Sequence, residues 1–149
     1  MEIPPAVFAD ASYWIALLHP KDQNNQSARE IDKKLKGYRT RISTSDLILT
    51  EVLAFFASSS RSNIYLKDVA GRAVEILRGR SELNIIPFIE TPFSEAFNDY
   101  RRYRDKKWSL VDCSSFIAMR KNGLDTALSY DGDFHEAGFT TIPLRHSKT

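Results

Sequence analysis

Apolar positions along the chain fall into short unbroken runs separated by longer stretches with helical spacing. The run from Ala6 to Ala9 predicts a buried strand that ends on Asp10. Pro87 lies within a third predicted strand and indicates an edge of the sheet, because proline cannot donate a ladder hydrogen bond. The further predicted strands cover residues 39–44, 85–88, 126–130 and 139–144.

Between these runs, apolar residues recur every three or four positions, which predicts amphipathic helices. Side-chain caps, prolines and glycines mark where the helices begin and end. The predicted starts are a Ser12 cap, an Asp22 cap, a Ser45 cap, the pair Thr91-Pro92 with proline at the first helical position, and the residues after Ser109; the predicted ends are Pro20, Gly37 and Asn122-Gly123, with a loop at 58–62.

Strands that alternate with helices predict βαβ units and a parallel sheet covered on both faces. The expected fold is therefore α/β, a three-layer α/β/α sandwich with a short central parallel sheet. The chain has 149 residues and lacks a Pro/Gly-rich linker, so residues 1–149 are read as a single domain.

Composition narrows the class of protein. The only cysteine is Cys113, which excludes an intrachain disulfide and a thiolate zinc site and favours a reduced, cytoplasmic protein. No signal peptide or membrane span is expected, because no sufficiently long apolar run occurs. A net charge of +2 does not by itself argue for nucleic acid.

Four carboxylates are expected at one edge of the predicted sheet. Asp10 and Asp131 follow predicted strands, and Asp112 lies in the first turn of a helix. Glu51 lies nearly two turns into another helix, beside the apolar residue Ile48 and others. Ligands in such sheets bind beyond the carboxyl ends of the strands, so these side chains are expected to meet.

Each acid also has an ordinary structural explanation. Asp10 and Asp131 can form turns, and Glu51 can be a solvated helix residue. Asp112 lies in the first turn of a helix, where the helix dipole stabilises negative charge. Four carboxylates at one place, however, repel one another, and a hard divalent cation removes that cost. The set predicts a Mg²⁺ or Mn²⁺ site suited to phosphodiester hydrolysis.

Other chemistries have less support. The three histidines are scattered, and the sequence contains neither a Walker loop nor GxGxxG, so no nucleotide cofactor is expected. Cys113 is interpreted as a core residue rather than a nucleophile. A receiver- or phosphatase-like domain with Asp10 as phosphoacceptor would want a second acid directly after the first strand, and Asp10-Ala11-Ser12 lacks it.

Four sequence blocks together resemble the PIN domain family, close to the toxin subunits of VapBC toxin–antitoxin pairs. They are Phe8-Ala9-Asp10-Ala11-Ser12, Leu49-Thr50-Glu51-Val52-Leu53, Ser109-Leu110-Val111-Asp112-Cys113-Ser114-Ser115-Phe116, and Ala127-Leu128-Ser129-Tyr130-Asp131 with Phe134 and Ala137-Gly138-Phe139.

The resemblance covers nearly the whole chain and implies a Mg²⁺- or Mn²⁺-dependent endoribonuclease with Asp10, Glu51, Asp112 and Asp131 as catalytic and metal-binding residues. It also implies an RNA substrate, a cognate antitoxin and a homodimer as partners. Ser129 matches a small hydroxyl position beside the fourth acid.

Two positions depart from the family pattern. Gly132 stands where relatives often carry a basic residue, and Asp133 where they often carry histidine. Asp133 is either a fifth carboxylate of the site or a turn former. A non-catalytic PIN-like module that binds RNA or protein, and a nuclease that is not a toxin, remain the alternative functions.

The densest basic run leads directly into the Asp112 helix. It either grips an RNA backbone, with Trp108 or Tyr103 stacking on a base, or is a solvated helix end. Phe55 is expected in the core, whereas Phe56 and Tyr65 are open between the core and a partner face. The candidate RNA-contacting residues are Ser12, Arg101, Arg102, Arg104, Lys106, Lys107, Trp108 and Ser129.

Overall fold

The structure is a computed structural model that describes residues 2–59, 64–90 and 92–145. A 3-10 turn at Phe88–Glu90 joins the third strand to the fifth helix. The strands and helices, in chain order, are β1 (Ala6–Ala9), α1 (Ala11–Leu18), α2 (Asn25–Gly37), β2 (Arg41–Ser45), α3 (Asp46–Ser59), α4 (Ile64–Arg78), β3 (Leu83–Ile86), α5 (Phe93–Arg102), α6 (Leu110–Lys121), β4 (Thr126–Leu128), α7 (Asp133–Glu136) and β5 (Thr140–Ile142).

The five strands form one sheet in the order β3-β2-β1-β4-β5, and every neighbouring pair is parallel. The chain first builds outward from β1 through β2 to β3, then returns to the other side of β1 with β4. The order therefore reverses between β1 and β4. Crevices open at such a switch point, beyond the carboxyl ends of the two strands.

The helices pack in two groups. Helix α1 contacts α2, α3 and α4, and α3 contacts α4; on the other side, α6 contacts both α5 and α7. Right-handed crossovers place the connections of β1-β2-β3 on one face of the sheet and the return connection on the other. This is the predicted three-layer α/β/α arrangement. In the described ranges, no helix combines the length and apolar character needed to cross a membrane.

An aromatic cluster fills the core beneath β1, α6 and α7. Phe134 is fully buried, with ring centroids 5.0 Å from Phe116 and 6.3 Å from Phe8. Phe139 lies 5.7 Å from Phe116 and closes the cluster beside β5. Because Phe134 directly follows Asp133, this packing fixes the position of the loop after β4.

Three predicted helix starts are displaced. Ser12 does not cap α1, because Asp10 occupies the position before the helix and Ser12 is its second residue. The second helix begins at Asn25, after a turn in which Asp22 accepts from the backbone N–H of Asn24 at 2.8 Å. Pro92 precedes α5 rather than forming its first residue, and Thr91 lies outside the described residues.

The cap at Ser45 is confirmed, since its hydroxyl accepts from the N–H of Ile48 at 3.1 Å. The predicted edge position of the strand containing Pro87 is also confirmed, although the strand ends at Ile86 and Phe88 lies in the 3-10 turn. Arg39 has φ 52°, so β2 begins later than predicted. The strands predicted over 126–130 and 139–144 shorten to three residues each.

Two predictions near the end of α3 are wrong. Ser58 and Ser59 belong to the helix rather than to the predicted loop, and residues 60–62 lie outside the described part of the chain. Phe55 is not in the core, since its side chain is 39% exposed, whereas Phe56 is 1% exposed. Adjacent helical side chains point about 100° apart, and here the neighbours packed against α3 cover Phe56 and leave Phe55 at the surface.

Candidate metal centre

Two aspartates flank the switch point of the sheet. Asp10 directly follows β1, and its backbone N–H donates to the carbonyl of Leu128, the last residue of β4, at 3.0 Å. Asp131 lies three residues beyond β4. The parallel pairing of β1 with β4 therefore brings both carboxylates to one crevice.

Two serine hydroxyls hold the buried Asp10 carboxylate. Its Oδ2 accepts from Ser12 Oγ at 2.9 Å and from Ser129 Oγ at 3.0 Å, and the two hydroxyls lie 3.2 Å apart. Each hydroxyl also accepts a backbone N–H of the following loop. Ser12 Oγ accepts from Tyr130 and Ser129 Oγ from Asp131, both at 3.0 Å. The hydroxyls thus connect the first acid to the segment that carries the fourth.

Asp112 is fixed by the start of α6. Its Oδ2 accepts from the backbone N–H of Ser109 at 2.9 Å, and its own N–H donates to Ser109 Oγ at 3.0 Å. This reciprocal capping box satisfies two backbone donors that the helix leaves unpaired. The carboxylate therefore serves the helix and still faces the other acids, so its structural and functional explanations are compatible.

Asp133 is both a member of the acid cluster and part of a turn. Its backbone N–H donates to Asp131 Oδ1 at 3.1 Å, which is the turn-forming contact. One carboxylate oxygen from each of Asp112, Asp131 and Asp133 can lie within 4.8 Å of the others. The two interpretations that the sequence left open are thus not exclusive.

The acids of the crevice are difficult to ionise together. Burial, with the charge of Asp112 as a further contribution, raises the pKa of Asp10 to about 6 despite its hydroxyl hydrogen bonds. Desolvation and the charges of Asp131 and Asp112 raise the pKa of Asp133 to about 7. Desolvation and the charge of Asp131 also raise the pKa of Asp112.

Glu51 joins this group electrostatically from α3. Partial desolvation and the charges of Asp10, Asp112 and Asp131 raise its pKa to about 7. Glu51 lies at an exposed position of α3, whereas its helical neighbour Ile48 is buried. Loss of solvent around the carboxylate is thus the main cost of ionising Glu51, and the charges of the three aspartates add to it.

The donor set fits a hard divalent cation. Carboxylate oxygens are the ligands that Mg²⁺ and Mn²⁺ prefer, and these ions are held by a few carboxylates with retained waters. Desolvation and, after it, repulsion among neighbouring carboxylates raise these pKa values, and a bound cation would offset that cost of ionisation. The candidate ligands are Asp112, Asp131 and Asp133, with Asp10 and Glu51 beside them.

The basic run near α5 divides into exposed and packed members. Arg101, Arg102, Arg104 and Lys107 are exposed. Lys106 instead forms an ion pair with Glu136 at 2.8 Å. Trp108 is partly buried against Phe116 and Tyr103, at centroid distances of 5.1 and 5.2 Å, so its ring already has aromatic partners.

Other residues stand outside the acid site. Cys113 is buried beside Ala96 and Ile117, and burial raises the pKa of its thiol to about 11, which agrees with a core role. Sequence reasoning missed Arg145, whose guanidinium lies on the loop after β4. No local pattern marks it, because its position depends on how the chain leaves β5.

Comparison with known proteins agrees with this architecture. A family model described as the PIN domain matches residues 7–140. The 23S rRNA-specific endonuclease VapC20 of Mycobacterium tuberculosis, from strains CDC 1551/Oshkosh and ATCC 25618/H37Rv, is 26% identical over 136 residues, which are 91% of this chain and 97% of the relative.

A solved structure is similar as well. The crystal structure of Mycobacterium tuberculosis VapC20, described as a Sarcin-Ricin loop cleaving toxin, gives a TM-score of 0.74 at 28% identity, covering 90% of this chain and 96% of that one. The family model, the relative and the structure thus agree over nearly the whole length. The chain therefore belongs to the PIN domain family, as a VapC-like member.

Proposed function

We propose that this protein is a metal-dependent endoribonuclease that hydrolyses RNA phosphodiester bonds as the toxin of a VapBC-type pair. The observation that carries the proposal is the group of Asp112, Asp131 and Asp133, whose carboxylate oxygens lie within 4.8 Å of one another. Asp10 and Glu51 interact electrostatically with this group. The likeness to an rRNA-specific endonuclease supports RNA as the substrate class.

The residues proposed to hold Mg²⁺ or Mn²⁺ are Asp112, Asp131 and Asp133. Asp10 and Glu51 add further negative charge beside them. The bound cation would lower the pKa of a water and neutralise charge on the scissile phosphate. The capping box at Ser109 and the turn at Asp131 hold the ligand carboxylates in place before any cation binds.

Glu51 and Asp10 take different roles in this proposal. Glu51 is the exposed acid, so its carboxylate is the one proposed to accept a proton from an attacking water beside the cation. Asp10 is 4% exposed and held by two hydroxyls, so its carboxylate has a fixed orientation. Ser12 and Ser129 therefore act by positioning Asp10 and the Asp131 loop.

The RNA backbone is proposed to approach from the side of α5. Arg101, Arg102 and Lys107 supply exposed positive charge there. A cognate antitoxin and a second copy of the chain are the proposed protein partners, and cytoplasmic RNA is the proposed target. Exposed apolar side chains such as Tyr65 and Phe97 leave surface for these contacts.

The proposal is tested by RNA cleavage with purified protein in Mg²⁺, Mn²⁺ or EDTA. Asp112→Asn and Asp131→Asn should each reduce cleavage by at least about a hundredfold, the size of losses when charge stabilisation at a reacting centre is removed. Asp125→Asn is the matched control, since Asp125 precedes β4 at the opposite edge of the sheet.

The outcomes separate the alternatives. Undiminished cleavage in EDTA would contradict the metal role. RNA binding without cleavage in any metal would favour the non-catalytic module. If no antitoxin encoded in an adjacent reading frame suppresses the cleavage, the result would favour a nuclease outside toxin–antitoxin systems.

A further inference from the structure

Arg145 lies on the loop that carries two of the candidate metal ligands. Its Nη2 donates to the carbonyl of Tyr130 at 2.6 Å. Its Nη1 lies 3.3 Å from the point where a Cβ at position 132 would stand. The guanidinium therefore contacts the loop on both sides of Asp131, although Arg145 itself belongs to the segment after β5.

This guanidinium is not neutralised by a carboxylate within the described ranges. Salt bridges there use other cations, among them Lys106 with Glu136 and Lys121 with Glu95, and none involves Arg145. The side chain is exposed, and the Tyr130 carbonyl is the hydrogen-bond acceptor that the described residues give it. Arginine offers five N–H donors, so further donors remain for a ligand.

An anionic substrate needs such a cation at this place. A cluster of carboxylates repels the RNA phosphates that must reach it, and charge that is not consumed by a local ion pair offsets this repulsion. The planar fork of arginine also matches two oxygens of a phosphate, which gives orientation as well as attraction.

We propose that Arg145 is a substrate-binding residue whose guanidinium contacts an RNA phosphate at the rim of the acid cluster. The inference rests on the proposed ribonuclease function and adds the residue that receives the backbone beside the site. The bond to Tyr130 holds one end of the fork, which leaves Nη1 and Nε to face the phosphate.

A purely structural role is the competing explanation, because the same bond could serve only to steady the loop. The two differ in what can replace the arginine. A structural clamp needs a donor to the Tyr130 carbonyl. A phosphate contact needs a positive charge in this region. Such a charge can also be introduced by a lysine at position 132. The φ of −72° and ψ of −12° at Gly132 suit any residue.

The experiment compares Arg145→Ala, the double variant Arg145→Ala with Gly132→Lys, and the control Arg41→Ala. Arg41 is exposed at the start of β2, the edge of the sheet away from the acids. KM and kcat are measured on a short single-stranded RNA in Mg²⁺. Affinity for the same labelled RNA is followed by fluorescence anisotropy in EDTA between about 50 and 200 mM salt, the range over which phosphate contacts are lost.

Arg145→Ala should raise KM and weaken RNA affinity about three- to tenfold, with kcat within about twofold. The slope of log affinity against log salt should become shallower by about 0.7, the value for one phosphate contact on a single strand. Adding Gly132→Lys should restore both quantities, and Arg41→Ala should leave them unchanged.

An unchanged salt slope in Arg145→Ala, or a loss that Gly132→Lys does not restore, overturns the proposal while the ribonuclease function stands. Unaltered protein that neither binds nor cleaves RNA overturns the ribonuclease function and this inference with it. The free energy of unfolding, measured in urea for all variants, identifies a loss that comes from a destabilised loop.

Discussion

Ser129 Oγ donates to Oδ2 of the buried Asp10 over 3.0 Å, joining the segments that leave β1 and β4 on opposite sides of the switch point. The same hydroxyl accepts from the N–H of Asp131. One small side chain therefore couples two carboxylates that are 121 positions apart in the sequence. Its removal gives the first prediction.

Ser129→Ala should lower the free energy of unfolding by about 1–3 kcal/mol, because it leaves a buried carboxylate and a backbone N–H each short of one partner. It should also raise the pKa of Asp10 further, since the lost bond favours the charged form. Ser115→Ala is the matched control. Ser115 Oγ is buried without a hydrogen-bond partner in the described part of the chain, so urea unfolding should change little.

The acid cluster should make the metal-free protein more stable at low pH. Asp10, Glu51 and Asp133 have folded-state pKa values of about 6, 7 and 7, above their ordinary values near 4. In this window these three groups bind more protons in the folded than in the unfolded chain. Their contribution to stability is therefore fully present below about pH 4 and is lost as pH rises to about 7.

The measurement is the free energy of unfolding in urea with EDTA between pH 5 and 8, which should fall as the pH rises. The other titratable groups contribute too, so Asp10→Asn serves as the internal comparison and should flatten part of the curve. A saturating divalent cation should reverse the trend, because it favours the ionised carboxylates. An Asp10→Asn curve parallel to that of the unaltered protein would argue against the shifted ionisation.

Phe134 should anchor the loop that supplies two candidate ligands. Phe134→Ala removes a fully buried ring from the cluster with Phe8, Phe116 and Phe139 and should cost about 3–5 kcal/mol. Phe134→Leu should lower the free energy of unfolding by less than Phe134→Ala does. It should also weaken metal binding, because the loop that carries Asp131 and Asp133 loses part of its anchor. Phe93→Ala, at a 54% exposed position, should change unfolding by less than about 1 kcal/mol.

The basic run should act through its exposed members. Arg101→Ala with Arg102→Ala should make the salt dependence of RNA affinity shallower by about 1.4, which corresponds to two phosphates on a single strand. Lys106→Ala should affect the slope less, because its ammonium is paired with Glu136. If Lys106→Ala changed the salt slope as much as one of the exposed arginines does, the ion pair with Glu136 would have to open when RNA binds.

The sequence predicts the acids better than it predicts what holds them. Asp10 and Asp131 could be placed because parallel strands end at a common edge, and Asp112 because a helix start is locally encoded. The strand order that makes β1 and β4 neighbours depends on packing of the whole sheet. The bonds of Ser12 and Ser129 to Asp10 therefore could not be read from the chain.

Side-chain burial was misjudged where one helix carries adjacent aromatics. Phe55 and Phe56 both suit an apolar face, and only tertiary packing decides that Phe56 is buried. Arg145 is the same kind of case at the site itself. Its guanidinium reaches the loop after β4 through the path of the chain beyond β5, which has no local signature.

Calorimetric titration with Mn²⁺ at pH 7.5 tests the central claim, that these carboxylates form a metal site, most directly. The account predicts saturable binding by the unaltered protein and by Asp125→Asn, with affinity reduced at least about tenfold in Asp112→Asn and Asp131→Asn, the scale seen when groups at a metal site are replaced. Equal affinity in all four proteins, or no saturable binding at millimolar Mn²⁺, would contradict it.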